Sequence, residues 1–455
     1  MQVLSATYWK SRYSESVHIA PLAMFRVIFG TVMLLAVLRF MWNGWVYDLY
    51  IKPTFYFPYY GFEWIKPLGG QGMYIVFAIM ALSYLCVALG YFYRIAILTA
   101  FLTFTYVELI DKANYLNHYY FVSIVSFIMI FLPAASYFSL DVRRKSSLQL
   151  SRIPRWMISV LKLQLAIVYI YAGIAKLNYD WLFRAMPLKI WLPAHADMPL
   201  IGGFLEEEWI AYFFSWFGAV YDLFIVFFLL NKRTRLAAYA FVIAFHVLTK
   251  ILFPIGMFPY VMILSTLIFF SEDFHKKIIA TLSRIQLFNR NSPQEIPSSS
   301  LQYSFRTKLV LCMIALFFIV QIALPWRFVF YPGKLFWTEQ GFRFSWRVML
   351  MEKAGTAFFY VKDAKTGREC EVMNDEYLTK NQEKMMATQP DMILQYAHFL
   401  KKEYERKGLQ NPQVRVESHV TLNGSGSRPF LDSRVNLAGE QENFLPKKWI
   451  LPFKE

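Results

Sequence analysis

The chain has 455 residues, of which 57% are hydrophobic, 19% aromatic and 17% charged, against roughly 45–50% apolar and about 25% charged in an ordinary soluble protein. That balance excludes both an ordinary cytosolic enzyme and a disordered chain. A net charge of +16 would suggest nucleic acid if the cations shared one surface, but Lys and Arg fall in short loops between apolar runs, which is the pattern of membrane topology.

The first twenty residues carry Lys10, Arg12 and Glu15 with no short apolar core and no small-residue cleavage site. A removed signal peptide is therefore not expected, and the first apolar run is expected to anchor the chain. Segments close to the length needed to span hydrocarbon, about 20 residues, are predicted at 21–42, 72–92, 94–110, 116–138, 155–175, 209–230, 235–253, 255–271 and 307–325. The expectation is an integral membrane all-α bundle of about nine transmembrane helices. Alternate connections divide the loop cations 17 against 7, which predicts a cytoplasmic N-terminus and an extracytoplasmic chain end. Residues 285–304, rich in Asn, Ser, Pro and Gln, read as a polar cytoplasmic linker.

From about residue 327 the composition becomes that of a water-soluble domain. Runs at 356–362 and 369–373 flank an Asp363-Ala364-Lys365-Thr366-Gly367 turn, a hairpin signature. Helical spacing follows over 383–407 and strand alternation over 412–422. The predicted division is 1–326, membrane and catalytic, and 327–455, an extracytoplasmic β-rich (α+β) domain. Cys86 and Cys312 lie in apolar runs and Cys370 stands alone, so neither a disulfide framework nor a metal site is expected.

Ionisable groups in or beside membrane segments are costly and hence the first functional candidates. Four clusters qualify: Asn114 to Tyr120, with Asn117 and His118; Lys176 followed by Asn178, Asp180 and Trp181; His246; and the broken segment Phe253 to Tyr260, which includes Met257. Loop charge puts all four near the outer face, where they are expected to converge on one pocket. Snorkelling at the interface is the alternative for His118 and Lys176, and a bond to a helix carbonyl the alternative for His246. Arg26 and Glu108 are expected to pair structurally, and Asp222 to be structural too. Burial disfavours an ammonium, so a lysine at an apolar boundary can act as a general base. Histidines there can move protons or hold an oxyanion, and an asparagine amide can donate without changing charge. With no metal spacing, phosphate loop or Ser-His-Asp order, redox chemistry would need a bound organic cofactor, and an apolar pocket at the membrane suits a lipid quinone.

The run Asp111 to Tyr120, the run Tyr171 to Trp181, and Phe245-His246 followed by Ile255 to Met262 together resemble the vitamin K-dependent gamma-glutamyl carboxylases, within the horizontally transferred transmembrane domain family. The likeness covers most of 15–275 and extends more loosely to Phe342-Arg343-Phe344-Ser345-Trp346 and Leu431 to Val435. It implies a peptidyl-glutamate 4-carboxylase of the carboxy-lyase class. In that family a lysine at the position of Lys176 deprotonates vitamin K hydroquinone, phylloquinol or menaquinol, which reacts with O2 to give a strongly basic alkoxide. This base removes a γ-proton from a protein glutamate, and the carbanion captures CO2, leaving γ-carboxyglutamate and vitamin K 2,3-epoxide.

Carried over by motif, Lys176, His118 and His246 would be catalytic. Asn117, His118, Lys176, His246, Met257 and Tyr260 would bind the cofactor, and Phe342, Phe344, Trp346 and Arg347 the peptide substrate. Animal members carry tyrosines where Phe342 and Phe344 stand, and this chain is much shorter than theirs, as a bacterial inner-membrane homologue would be. A quinol epoxidase without protein carboxylation, or a quinone- or lipid-binding sensor or transporter, stand as alternative readings. Removing the residues after about 340 is expected to spare quinone binding. The protein substrate, the physiological quinone and the oligomeric state are left open.

Overall fold

The computed structural model describes residues 14–283 and 305–454; the linker expected at 285–304 and the cations Lys10, Arg12, Arg284 and Arg290 lie outside them. Each apolar segment is helical. In chain order the helices are α1 (Ala20–Trp42), α2 (Gln71–Leu89), α3 (Tyr93–Ile110), α4 (Asn117–Ile130), α5 (Trp156–Lys176), α6 (Glu208–Leu230), α7 (Arg235–Leu252), α8 (Phe258–Thr266), the amphipathic α9 (Glu272–Leu282) and α10 (Phe305–Ala323). Among the described residues, seven helices are long and apolar enough to cross a membrane: α1, α2, α3, α5, α6, α7 and the run Thr307–Phe330, which takes in most of α10. The other two predicted spans are shorter. α4 has 14 residues, about 21 Å at 1.5 Å per residue, against a core of about 30 Å; it stops before Pro133, which cannot extend it. α8 has 9 residues and ends in a 3-10 turn, Leu267–Phe269.

Large side chains such as Leu35, Ile79, Leu102, Phe224, Phe228 and Leu316 are exposed on these helices, as a lipid-facing surface requires. Arg26 and Glu108 do not pair. Arg26 is fully buried and gives its guanidinium hydrogens to the carbonyls of Val87 and Ala88, at the end of α2, and of Ala134 and Phe138. Glu108 instead accepts from Ser123 Oγ at 2.5 Å. The expectation failed because the carbonyls at the end of α2 supply the guanidinium with acceptors and no carboxylate is needed.

At one end of the bundle, β1 (Ser16–His18) pairs antiparallel with β2 (Arg152–Pro154), and the His18 amide donates to Glu272 of α9. At the other end sits the C-terminal region. Its sheet has the order β4-β3-β5-β6, formed by β3 (Lys353–Lys362), β4 (Glu369–Val372), β5 (Gln413–Leu422) and β6 (Arg428–Pro429). The predicted hairpin is the β3–β4 pair, with Phe359 opposite Val372. The expected helix at 383–407 is two, α11 (Lys380–Met386) and α12 (Pro390–Arg406), divided where Pro390 removes a backbone donor. Alternate residues Val414, Val416, Val420 and Leu422 of β5 turn inward to meet Met392, Tyr396 and Leu400 of α12.

The connections after α1, α3 and α5 reach this sheet-bearing region. Gln382 donates to the Phe55 carbonyl and to Asp111, Trp191 to Glu352 and Asn423 to Asp180. Lys112, 2% exposed, lies 2.8 Å from Asp391, which also takes Arg343 at 2.7 Å.

Candidate active site

α5 and α6 pack closely because residue 173 is glycine. A Cβ there would lie 2.7 Å from the Leu223 backbone nitrogen, closer than any real contact allows. That approach brings Lys176, the last residue of α5, against Asp222 of α6, with Nζ 2.6 Å from Oδ2 and both side chains buried. Asn178 then caps the short helix Tyr179–Arg184 by accepting from the Trp181 amide, an arrangement that satisfies an otherwise orphan donor. The cap turns Trp181 back across the bundle, where its indole donates to the Ser215 carbonyl at 2.8 Å and lies 5.5 Å from Lys176 Nζ.

His246 of α7 faces the same space. Its Nδ1 lies 2.8 Å from the Val242 carbonyl; a carbonyl only accepts, so Nδ1 carries a hydrogen, and in the neutral ring Nε2 then keeps a lone pair. The carbonyl bond expected as the alternative for His246 is thus present, and it leaves the second nitrogen available. Lys176, Asp222, His246 and the Tyr169 phenol are the ionisable lining of a cavity of about 110 Å³ otherwise walled mostly by apolar side chains, among them Trp181, Trp191, Phe214, Phe217, Phe245 and Phe258. Engineered cavities of about 150 Å³ bind a single aromatic molecule. This cavity is smaller than those and would have to widen to take a fused ring; its flat apolar walls with an amine, a carboxylate and an imidazole match an aromatic ring bearing hydroxyls in chemistry.

A second cavity of about 690 Å³, the outer one with respect to the bundle, lies against the C-terminal end of α5, lined among others by Asn178, Asp180, Trp326, Lys334, Ser345 and Arg347. Lys334 pairs with Asp180 at 2.8 Å. Arg347 stacks 4.5 Å from the Phe328 ring, and its buried Nε has no partner among the described residues. Burial pulls the Arg347 guanidinium down to about 10.

One stretch of chain divides the two cavities. Ser345 and Arg347 line the outer one, and Val348 and Met349 line the inner one. Three residues in and beside it, Phe344, Trp346 and Met349, have φ of 61, 58 and 53°, each a strain of about 1–3 kcal/mol for a non-glycine residue. The motif before α4 holds it in place. The Phe344 amide donates to the Tyr115 hydroxyl at 2.8 Å, Tyr115 donates to Asn117, and the Asn117 amide donates to the Arg347 carbonyl at 2.9 Å. Trp346 stacks on Tyr120 at 5.0 Å.

Of the residues expected in one pocket, Lys176 and His246 line the inner cavity, while Asn117 and His118 do not. The His118 ring touches Phe258, which in turn touches His246. Met257 caps α8 and packs on the core, and Tyr260 is 46% exposed on the outer surface of the bundle. Phe342 packs on Phe336, and Phe344 sits among Tyr59, Tyr115 and Tyr120; neither lines either cavity. Val348 and Met349 wall the inner cavity, so residues after 340 take part in closing it. Asp222 was legible as an ionisable group in an apolar run, the signal that also marks Lys176, but its partner was not.

The HTTM domain family matches residues 14–274, and the vitamin K-dependent gamma-carboxylase lumenal domain family matches residues 306–455. No solved structure matches the chain. Two domain matches that follow one another along the chain, over the helices that carry Lys176 and the region that carries Arg347, identify it: the chain belongs to the vitamin K-dependent gamma-carboxylase family.

Proposed function

We propose that this protein is a vitamin K-dependent gamma-glutamyl carboxylase that couples oxygenation of vitamin K hydroquinone to its 2,3-epoxide with carboxylation of protein glutamate. The observation that carries the reading is the pair of cavities sharing the wall Ser345 to Met349, with Lys176 on the membrane side and Arg347 on the other. A glutamate γ-proton is too weakly acidic for any side chain to remove, and vitamin K hydroquinone, when bound, supplies with O2 the stronger base that removal needs.

The remaining roles belong to the chain. Lys176 accepts a hydroxyl proton at Nζ, and the His246 Nε2 lone pair orients a second hydroxyl. The walls formed by Phe214, Phe217, Phe245 and Phe258 exclude the water that would quench a strong base. In the outer cavity Arg347 receives the glutamate side-chain carboxylate in charge-assisted hydrogen bonds. Residues 1–326 then form the membrane and quinone-binding unit and 327–455 the unit that presents the peptide. The loop cations support a cytoplasmic N-terminus and an extracytoplasmic C-terminal unit.

The test uses purified full-length protein in nanodiscs with vitamin K hydroquinone, O2, radiolabelled bicarbonate and a glutamate-rich peptide. Label fixed in the peptide together with epoxide supports the coupled reaction. Epoxide without label in the presence of several such peptides would replace it with a quinol epoxidase, and neither product with a binding protein.

A further inference from the structure

Asp222 sits on α6 where that helix comes closest to α5, and its carboxylate meets Lys176 Nζ at 2.6 Å. The amine also reaches the Ala172 carbonyl of its own helix, at 3.4 Å. We propose that Asp222 is the positioning residue of the site, aiming Nζ of Lys176 and supplying the counter-charge for the ammonium formed when that amine takes a proton. This rests on Lys176 being the proton acceptor proposed above.

The step is balanced. The O–H bond of an acidic hydroxyl in the cavity breaks, an N–H bond forms at Nζ, and the electron pair stays on the hydroxyl oxygen. In the form that takes the proton the amine donates an N–H hydrogen bond to Oδ2; in the protonated form the same contact is an ion pair. In an apolar wall that change in charge counts for far more than it would in water, because an ammonium buried without a partner is strongly disfavoured. The atom that takes the proton belongs to α5, and the group that makes its acceptance favourable belongs to α6. Holding the two helices together does not require this pair, since the Trp181 indole bond to Ser215 and the close approach at Gly173 already do so.

A charge partner and a structural pin differ in two readouts. In protein without quinone, acylation of Lys176 by a small apolar amine-reactive reagent at fixed neutral pH, located by peptide mass spectrometry, reports the free amine. Quinol turnover reports its basicity. Asp222→Asn keeps the shape and removes the charge. Labelling of Lys176 is expected to rise about tenfold or more while turnover falls about tenfold or more, each tenfold step corresponding to one unit of protonation equilibrium. Asp222→Glu, which restores the charge, is expected to recover most of both. Unchanged or slower labelling in a variant with wild-type thermal stability would overturn the proposal, as would Asp222→Glu behaving like Asp222→Asn. Should Asp222→Asn not fold, Asp222→Ser removes the same charge and is read in its place. If the wild-type protein turns over no quinol, the proposed function fails, and the labelling alone still decides whether Asp222 charges its neighbour.

Discussion

Asn117 spends its amide on the backbone carbonyl of Arg347, 230 positions along the chain and 2.9 Å away. A motif residue that resembles a cofactor ligand is thereby a clamp on the wall between the two cavities. Asn117→Ala leaves a carbonyl without its donor, at about 1–3 kcal/mol, next to backbone already held in left-handed conformations. The expected result is uncoupling: the ratio of epoxide formed to label fixed rises at least about threefold, measured in one reaction. An unchanged ratio would show that the wall stays closed without the clamp.

Replacing Lys176 by Ala is expected to abolish both products while quinone still quenches the fluorescence of Trp181 and Trp191, which line the inner cavity. It also strands the buried carboxylate of Asp222, a loss of about 3–5 kcal/mol that thermal unfolding in detergent should register. The double variant Lys176→Met with Asp222→Asn should recover much of that stability and none of the turnover.

Arg347 lines the outer cavity, and its buried Nε has no partner among the described residues. Loss of one hydrogen bond to a charged group, about 1.5–3 kcal/mol, predicts that Arg347→Gln raises the KM for the glutamate peptide by roughly 10- to 150-fold. Quinone binding should move little, and steady-state kinetics against both substrates separates the two effects.

Asp391 is the junction of Lys112 and Arg343. Burial pushes its carboxyl up, but Arg343 and then Lys112 outweigh burial and hold it well below the ordinary range. A carboxyl depressed in the folded state adds stability that is complete above the unfolded value, about 3.9, and is lost as pH falls below it. Asp111 acts in the opposite sense, since burial raises it to about 6, so protonating it between about pH 6 and 4 favours the folded form. Unfolding followed against pH should therefore show loss of stability beginning only near pH 4. Asp391→Asn should remove that acid limb and lower the plateau by about 3 kcal/mol, the low end for a broken buried pair, because the carboxylate keeps 34% of its surface in water.

Gly173→Ala places a methyl 2.7 Å from the Leu223 nitrogen. Overpacking of this kind costs about 1–3 kcal/mol, and relief by separating α5 from α6 draws Lys176 away from Asp222. Lower thermal stability together with lower quinol turnover is expected; full turnover would mean that the helices absorb the methyl elsewhere.

Much of this architecture could be read from residue order, for reasons that are local. Apolar runs located each membrane segment, and the Asp363 to Gly367 turn located its hairpin, because those patterns act over a few residues. The helix expected at 383–407 divides at Pro390, and α4 ends early at the approach to Pro133. Both boundaries are marked by prolines, although the apolar periodicity runs on through them. Tertiary partnership was less legible. Lys176 and His246 were singled out by the cost of polar groups in lipid, yet the same cost marks Arg26, Glu108 and Asp222, and nothing local tells which of them meet. Arg26 took carbonyls in place of Glu108, and Asn117 took a backbone carbonyl, because a donor is satisfied by whatever acceptor the fold brings near.

Val348 and Met349 complete the wall of a cavity whose other sides are α5 to α8 and the connection between α5 and α6. Two halves that look separable along the chain are thus not interchangeable parts. A chimaera that pairs this bundle with another C-terminal half inherits a foreign wall, and it can be expected to keep its cavity closed only if Tyr115, Asn117 and Tyr120 are exchanged along with the segment they grip.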